Sequence, residues 1–111
     1  MNIGKMVEFI DIIETIQSKD AEGFAEKPVE RVVLSTRAYF EQRRGTKVWA
    51  NRAAFSTATA MFIFRADPTV TVTPSHIIRY RGETYRILSV REIHGMYVEL
   101  LADTINSAKG G

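Results

Sequence analysis

His76-Ile77-Ile78-Arg79-Tyr80-Arg81-Gly82-Glu83-Thr84-Tyr85-Arg86-Ile87-Leu88-Ser89-Val90 is the stretch of this chain that decides its fold. Two runs rich in β-branched and aromatic residues flank Arg81-Gly82-Glu83, and a glycine between two such runs predicts a tight hairpin turn. The second run alternates, so Tyr85, Ile87 and Ser89 are expected on one face and Arg86, Leu88 and Val90 on the other. His94-Gly95 turns the chain again, and Met96-Tyr97-Val98-Glu99-Leu100-Leu101 reads as the last strand.

Upstream, residues 57–65 (Thr-Ala-Thr-Ala-Met-Phe-Ile-Phe-Arg) predict another strand. Asp67-Pro68 ends it, because proline has no N–H to give to a ladder and restricts its predecessor. Residues 69–74 alternate Thr and Val and are expected to be extended, with a turn at Pro74-Ser75. Residues 29–40 give a second strand around Val32, Val33 and Leu34. In residues 6–16, Phe9, Ile12, Ile13 and Ile16 also fit one face of a helix, but the isoleucine content favours a strand. Residues 17–28 are polar, contain Gly23 and close on Pro28, an exposed hairpin loop. Gln42-Arg43-Arg44-Gly45 interrupts the second strand. Thr46 then stands where a helix N-cap would, with Val48, Trp49, Arg52, Ala53 and Phe55 behind it.

The expected fold is mainly β: a small antiparallel β-barrel or sandwich of about six strands, with one short helix in a long loop. Its 111 residues suit one domain, expected over residues 1–105 with a flexible tail at 106–111. At 45% hydrophobic and 25% charged, the composition is globular rather than disordered. No apolar run approaches the roughly 20 residues a membrane helix needs, and the opening residues do not read as a signal peptide. Disulfide and thiol chemistry are excluded, since the chain has no cysteine.

Charge is unevenly distributed. The net charge is +2, but residues 1–28 carry three cations against six acids, and residues 29–66 seven cations against two. Arg37, Arg43, Arg44, Lys47 and Arg52 interleave with Tyr39, Phe40 and Trp49, a composition able to grip phosphates and stack on bases. The competing reading is a solvated face with Trp49 in the core or in a subunit contact. Catalytic constellations are lacking. His76 and His94 have no second donor at ligand spacing and are expected as solvated surface histidines. No serine sits in a Gly-x-Ser-x-Gly setting, and no glycine pattern cradles phosphate. The chain is therefore expected to be no enzyme and to use neither cofactor nor metal.

The order of pieces has a further meaning. Ile3-Gly4-Lys5 leads into a strand, and an acidic loop with Asp20-x-x-Gly23 follows. Arg43-Arg44-Gly45 precedes a short helix ending in Ala53-Ala54. Later come Phe64-Arg65, the run from Ile78 through Tyr80-Arg81-Gly82-Glu83-Thr84-Tyr85 to Ile87, and Glu99-Leu100-Leu101. Over residues 3–103 this resembles the phage head–tail joining family, also called head–tail adaptors or head-closure stoppers. The resemblance implies a structural virion protein, assembled in the host cytoplasm, that forms a homo-oligomeric ring between head and tail and helps close the DNA channel. It implies a portal or upper adaptor above, a tail-completion protein below, genomic DNA passing without sequence-specific contacts, and no membrane. Whether the free protein is a monomer stays open. On that reading Arg43, Arg44, Lys47, Trp49 and Arg52 face the channel or a neighbouring subunit, and Asp20, Glu22 and Glu26 contact a neighbour. Two alternatives remain: a tail-completion or terminator protein, and a free-standing nucleic-acid-binding barrel.

Overall fold

The computed structural model describes residues 5–16, 28–42 and 58–105. Its elements are β1 (Glu8–Ile16), β2 (Val29–Gln42), β3 (Ala60–Arg65), β4 (Ile77–Tyr80), β5 (Glu83–Ile93) and β6 (Tyr97–Thr104). They close into one antiparallel barrel in the order β1-β2-β3-β6-β5-β4, which decides between barrel and sandwich. The short helix expected at 46–55 and the tail at 106–111 lie outside the described residues.

The ambiguous first segment is a strand. Ile10 and Ile12 point inward at 2% and 0% exposure, while Phe9 between them and the start of the strand is 66% exposed. A helical face would have put Phe9 beside Ile12; the observed period is two. Inward residues of all six strands meet in one core that includes Phe62, Phe64, Ile78, Ile87 and Leu100. Each fully buried side chain of this size contributes about 1.5–3 kcal/mol. Phe40, Phe62, Tyr80 and Tyr85 form a ring cluster near one end, with centroids of Phe40 and Tyr80 4.5 Å apart.

Two irregularities bend the sheet. The β1–β2 register slips between Ile12 and Ile13, so that Val33 is the extra residue of β2. The β5–β6 register slips between Ile87 and Ser89, so that Leu88 is extra in β5. Bulges of this kind raise local twist and help a sheet close on itself. The second corrects the sequence expectation. Ile87 lies opposite Ala102, but Val90 lies opposite Leu100 and packs on the core, whereas Leu88 packs outside it against Ala58 and Leu101. The alternation inverts at Leu88, so Ser89 does not share the face of Tyr85 and Ile87.

The tight turn expected at Arg81-Gly82-Glu83 is a two-residue hairpin, with Arg81 and Gly82 at φ 52° and 80°, and Glu83 already pairs with Tyr80 as the first residue of β5. Positive φ at both positions matches the right-handed twist of the flanking strands. His94 and Gly95 adopt the same sign at the β5–β6 turn.

Barrel closure differs along β2. Its 29–38 portion pairs with β1, but β3 pairs only with 38–42. On that side, 29–37 has no strand partner among the described residues. After β3 the chain swings towards β6, with the Ala66 N–H donating to the Met96 carbonyl at 2.8 Å. Residues 66–76 then form a strap. The Asp67 carboxylate accepts from the Thr69 N–H and hydroxyl at 2.8 and 2.6 Å, and the His76 N–H closes a turn on the Thr73 carbonyl. Among the described residues β5 is likewise single-sided beyond Arg86, where its ladder with β4 stops.

Candidate functional site

The strand registers fix where the two long connections attach. Ile16 pairs with Val29 at one end of the barrel, flanking segment 17–27. Gln42 pairs with Ala60 at the other end, flanking segment 43–57. The predicted site residues Arg43, Arg44, Lys47, Trp49 and Arg52, and the predicted neighbour contacts Asp20, Glu22 and Glu26, all lie outside the described residues. The described strands hold the roots of the two groups at opposite ends.

At the end that bears segment 43–57, side chains from five strands converge. The Tyr80 hydroxyl donates to Glu8 Oε1 at 2.9 Å, and the Arg81 guanidinium donates to the same oxygen at 3.1 Å. Arg81 also lies over the Tyr80 ring, 5.4 Å from its centroid, a cation–π contact. Burial, then the hydrogen bond to Glu8, push the Tyr80 phenol above its ordinary range; burial does the same to Tyr85. A shallow cavity of about 360 Å³ opens here between Phe40, Gln42, Tyr80, Arg81 and Thr104. Sequence reasoning singled out the Arg81-Gly82 turn but not this trio, since Glu8 lies 73 residues away. Its one local signal is an arginine, not glycine or asparagine, at a position that needs positive φ.

Charge along the barrel is largely compensated. The described residues hold eight Lys or Arg and ten Asp or Glu, net −2. Arg31, Arg79, Arg81, Arg86 and Arg91 are each ion-paired to a barrel carboxylate. The Arg79 fork on Glu30 holds that carboxyl below its usual range, and Arg91 grips the buried Glu99 through two 3.1 Å bonds. Arg37 stacks on the exposed Phe9 ring. Segment 43–57, by contrast, carries Arg43, Arg44, Lys47 and Arg52 with no acid, net +4. The unbalanced positive charge of this protein therefore resides in the connection that leaves the Arg81 end.

The opposite end is built by the strap. Beneath it lies a cavity of about 550 Å³ walled by Leu34, Phe64, Val72, Val90 and Val98. His76, expected as a solvated histidine, is half-buried instead and accepts the Thr73 N–H at its Nδ1, 3.0 Å away, which fixes the turn into β4. His94 is exposed, as expected. No group of three metal-ligating side chains occurs among the described residues, and no described helix is long and apolar enough to cross a membrane.

Comparison with known proteins gives a consistent result. The family model described as phage head completion protein matches residues 1–105. Among solved structures, the chain is similar to protein SF1141 from Shigella flexneri 2a, with TM-score 0.75 and 16% identity over 94% of this chain and 96% of that one. It is also similar to a chain in the virion of a native gene transfer agent particle, with TM-score 0.57 and 18% identity over 92% and 97%. At these identities the two likenesses speak for the barrel. No curated protein matches.

Proposed function

The chain belongs to the phage head completion protein family, and from that membership we propose that its barrel is one unit of a ring through which DNA passes at the head–tail joint. The role is structural and the place is the virion. The match over residues 1–105 carries this reading, and two physical observations support it. Phe62 and Leu100, both 0% exposed, fill the barrel interior, as a barrel of this strand number requires. DNA can thus pass only between copies, and a head-to-tail contact that closes by rotation makes the opening.

The second observation is the charge division. A barrel of net −2 with its cations mostly paired, joined to a connection of net +4, separates scaffold from polyanion contact. Segment 43–57 is the part proposed to face the duplex, with Arg81 beside its root. Arg43, Arg44, Lys47 and Arg52 would meet phosphates without reading bases, and four such contacts bind weakly enough at cellular salt for DNA to leave. The portal or an upper adaptor would lie on one side of the ring and a tail-completion protein on the other.

The test is electron microscopy of a lysate from phage lacking this gene. Filled or leaking heads beside complete, separate tails are expected. Normal virions would overturn the reading, and tails of abnormal length would move the protein to the tail side.

A further inference from the structure

We propose that the outer wall formed by β2 and β3 faces the DNA through Arg37 and Arg65, so that this wall and the basic segment it carries form one track for the phosphate backbone. The proposal rests on the ring reading above and adds which side of the barrel is turned to the bore. Ala38 and Phe64 lie in the core, so their strand neighbours Arg37 and Arg65 point outward, and both are exposed. Continuing the β2–β3 register one step past Ala38 and Phe64 sets the two arginines side by side. Phe9 on β1 pairs with Arg37, and Tyr97 on β6 pairs with Arg65. The result is a row across four strands in which two cations stand between two aromatic rings.

This row is uncompensated. Among the described residues, Arg37 and Arg65 are the two arginines without an ion pair, whereas the other five each hold a carboxylate. Nearby acids are engaged elsewhere: Asp67 by the Thr69 N–H and hydroxyl, Asp11 by the Ser35 hydroxyl and Glu41 by the Tyr39 hydroxyl. Like charges side by side on neighbouring strands cost stability, a cost that an anion from outside removes. Arg37 is also held in position. Its guanidinium lies over the Phe9 ring, 5.1 Å from the centroid, and that ring is 66% exposed rather than spent on the core. Stacking uses the face of the guanidinium and leaves its in-plane N–H donors free, the geometry in which arginine meets phosphate.

Continuity favours DNA over an acidic protein surface. Residues 37–65 carry six cations, Arg37, Arg43, Arg44, Lys47, Arg52 and Arg65, against one acid, Glu41, net +5. From Arg37 to Gln42, the last residue before segment 43–57, an extended strand runs about 17 Å, the length of about five phosphates along one DNA strand. The opposite wall differs. In the closed order β5 lies across from β2, and its Arg86 and Arg91 are neutralised by Asp103 and Glu99. One side of the barrel thus suits a polyanion and the other does not.

The full chain and a random-sequence duplex test the wall in solution. In the double variant Arg37→Ala, Arg65→Ala, the slope of log affinity against log salt is expected to shrink by about 2. It should hold in the double variant Arg37→Lys, Arg65→Lys and in Arg86→Ala. An unchanged slope in the alanine pair, an equal loss in Arg86→Ala, or no binding by the wild type even at low salt would overturn the proposal. What the wall meets in the particle is read by a photo-crosslinker on Ser35→Cys, an exposed position two residues from Arg37 in a chain without other thiols. Arg86→Cys serves as the opposite-wall control. DNA adducts from Ser35→Cys, and none above background from Arg86→Cys, are expected. Ser35→Cys adducts confined to protein would overturn the proposal in favour of an acidic protein surface. Particles that lack the protein altogether would overturn the ring reading, while the salt slopes still judge the wall.

Discussion

The two halves of β2 make the same kind of strand in two different settings. From Ala38 to Gln42 it is paired to β3 and carries Phe40 into the ring cluster with Phe62 and Tyr80. Along 29–37 it is paired on one side only among the described residues, and Val29 and Val32 are 56% and 51% exposed. One half is held on both sides by described strands. The other, among the described residues, has a strand on one side only and leaves apolar surface exposed, so the same strand contributes differently to the fold along its length.

The largest expected effect contrasts the two directly. Phe62→Ala removes a fully buried ring and should lower unfolding free energy by about 3–5 kcal/mol, whereas Val32→Ala should stay within about 0.5 kcal/mol. Urea denaturation of the purified protein measures both, and equal losses would erase the contrast. Hydrogen exchange sharpens it residue by residue. In the free protein, every second amide along 29–37 should exchange on the order of a thousandfold faster than its neighbours, while protection is continuous through 39–42. Uniform protection along 29–37 in a monomer would mean that the edge is already filled.

Smaller effects concern the Glu8–Tyr80–Arg81 trio at the well-paired end. Tyr80→Phe removes one hydrogen bond to a carboxylate, about 1–2 kcal/mol at neutral pH. The Tyr80 phenol is raised in the folded protein, so its contribution is complete below the ordinary tyrosine range near pH 10. It is lost as pH climbs through the folded value. Denaturation midpoints should therefore fall on the alkaline side, and less steeply in Tyr80→Phe, with Tyr85 supplying the remaining slope. The smallest change is expected for Arg81→Gly. Relief of a positive φ at a side-chain-bearing residue, worth about 1–2 kcal/mol, is offset by loss of an exposed ion pair worth about 0–1 kcal/mol. A thermal melt should move little, and upward if at all.

The sequence made the hairpin at Arg81-Gly82 legible because both signals there are local: alternation and a turn residue. β1 was legible through its isoleucines even though its spacing also fitted a helix. The bulge at Leu88 was not, since nothing in Thr84-Tyr85-Arg86-Ile87-Leu88-Ser89-Val90 distinguishes an extra residue from the next step of the alternation; only the register against Leu100 and Ala102 does. The stretch of β2 that lacks a second partner among the described residues was hidden for a related reason. It depends on where β3 stops, and Asp67-Pro68 marks the end of that strand without saying which neighbour it leaves unpaired. The charge division was visible as a basic island, but its contrast with a compensated barrel required knowing that Glu30 meets Arg79 and Glu99 meets Arg91.

The attachment of the two connections at opposite ends has a consequence for change over time. Loop-closure entropy grows slowly, so doubling the length of segment 43–57 would cost only about 0.6 kcal/mol. That alteration would not touch the end rooted at Ile16 and Val29. Each end can therefore be refitted alone, with the same core carried unchanged beneath both.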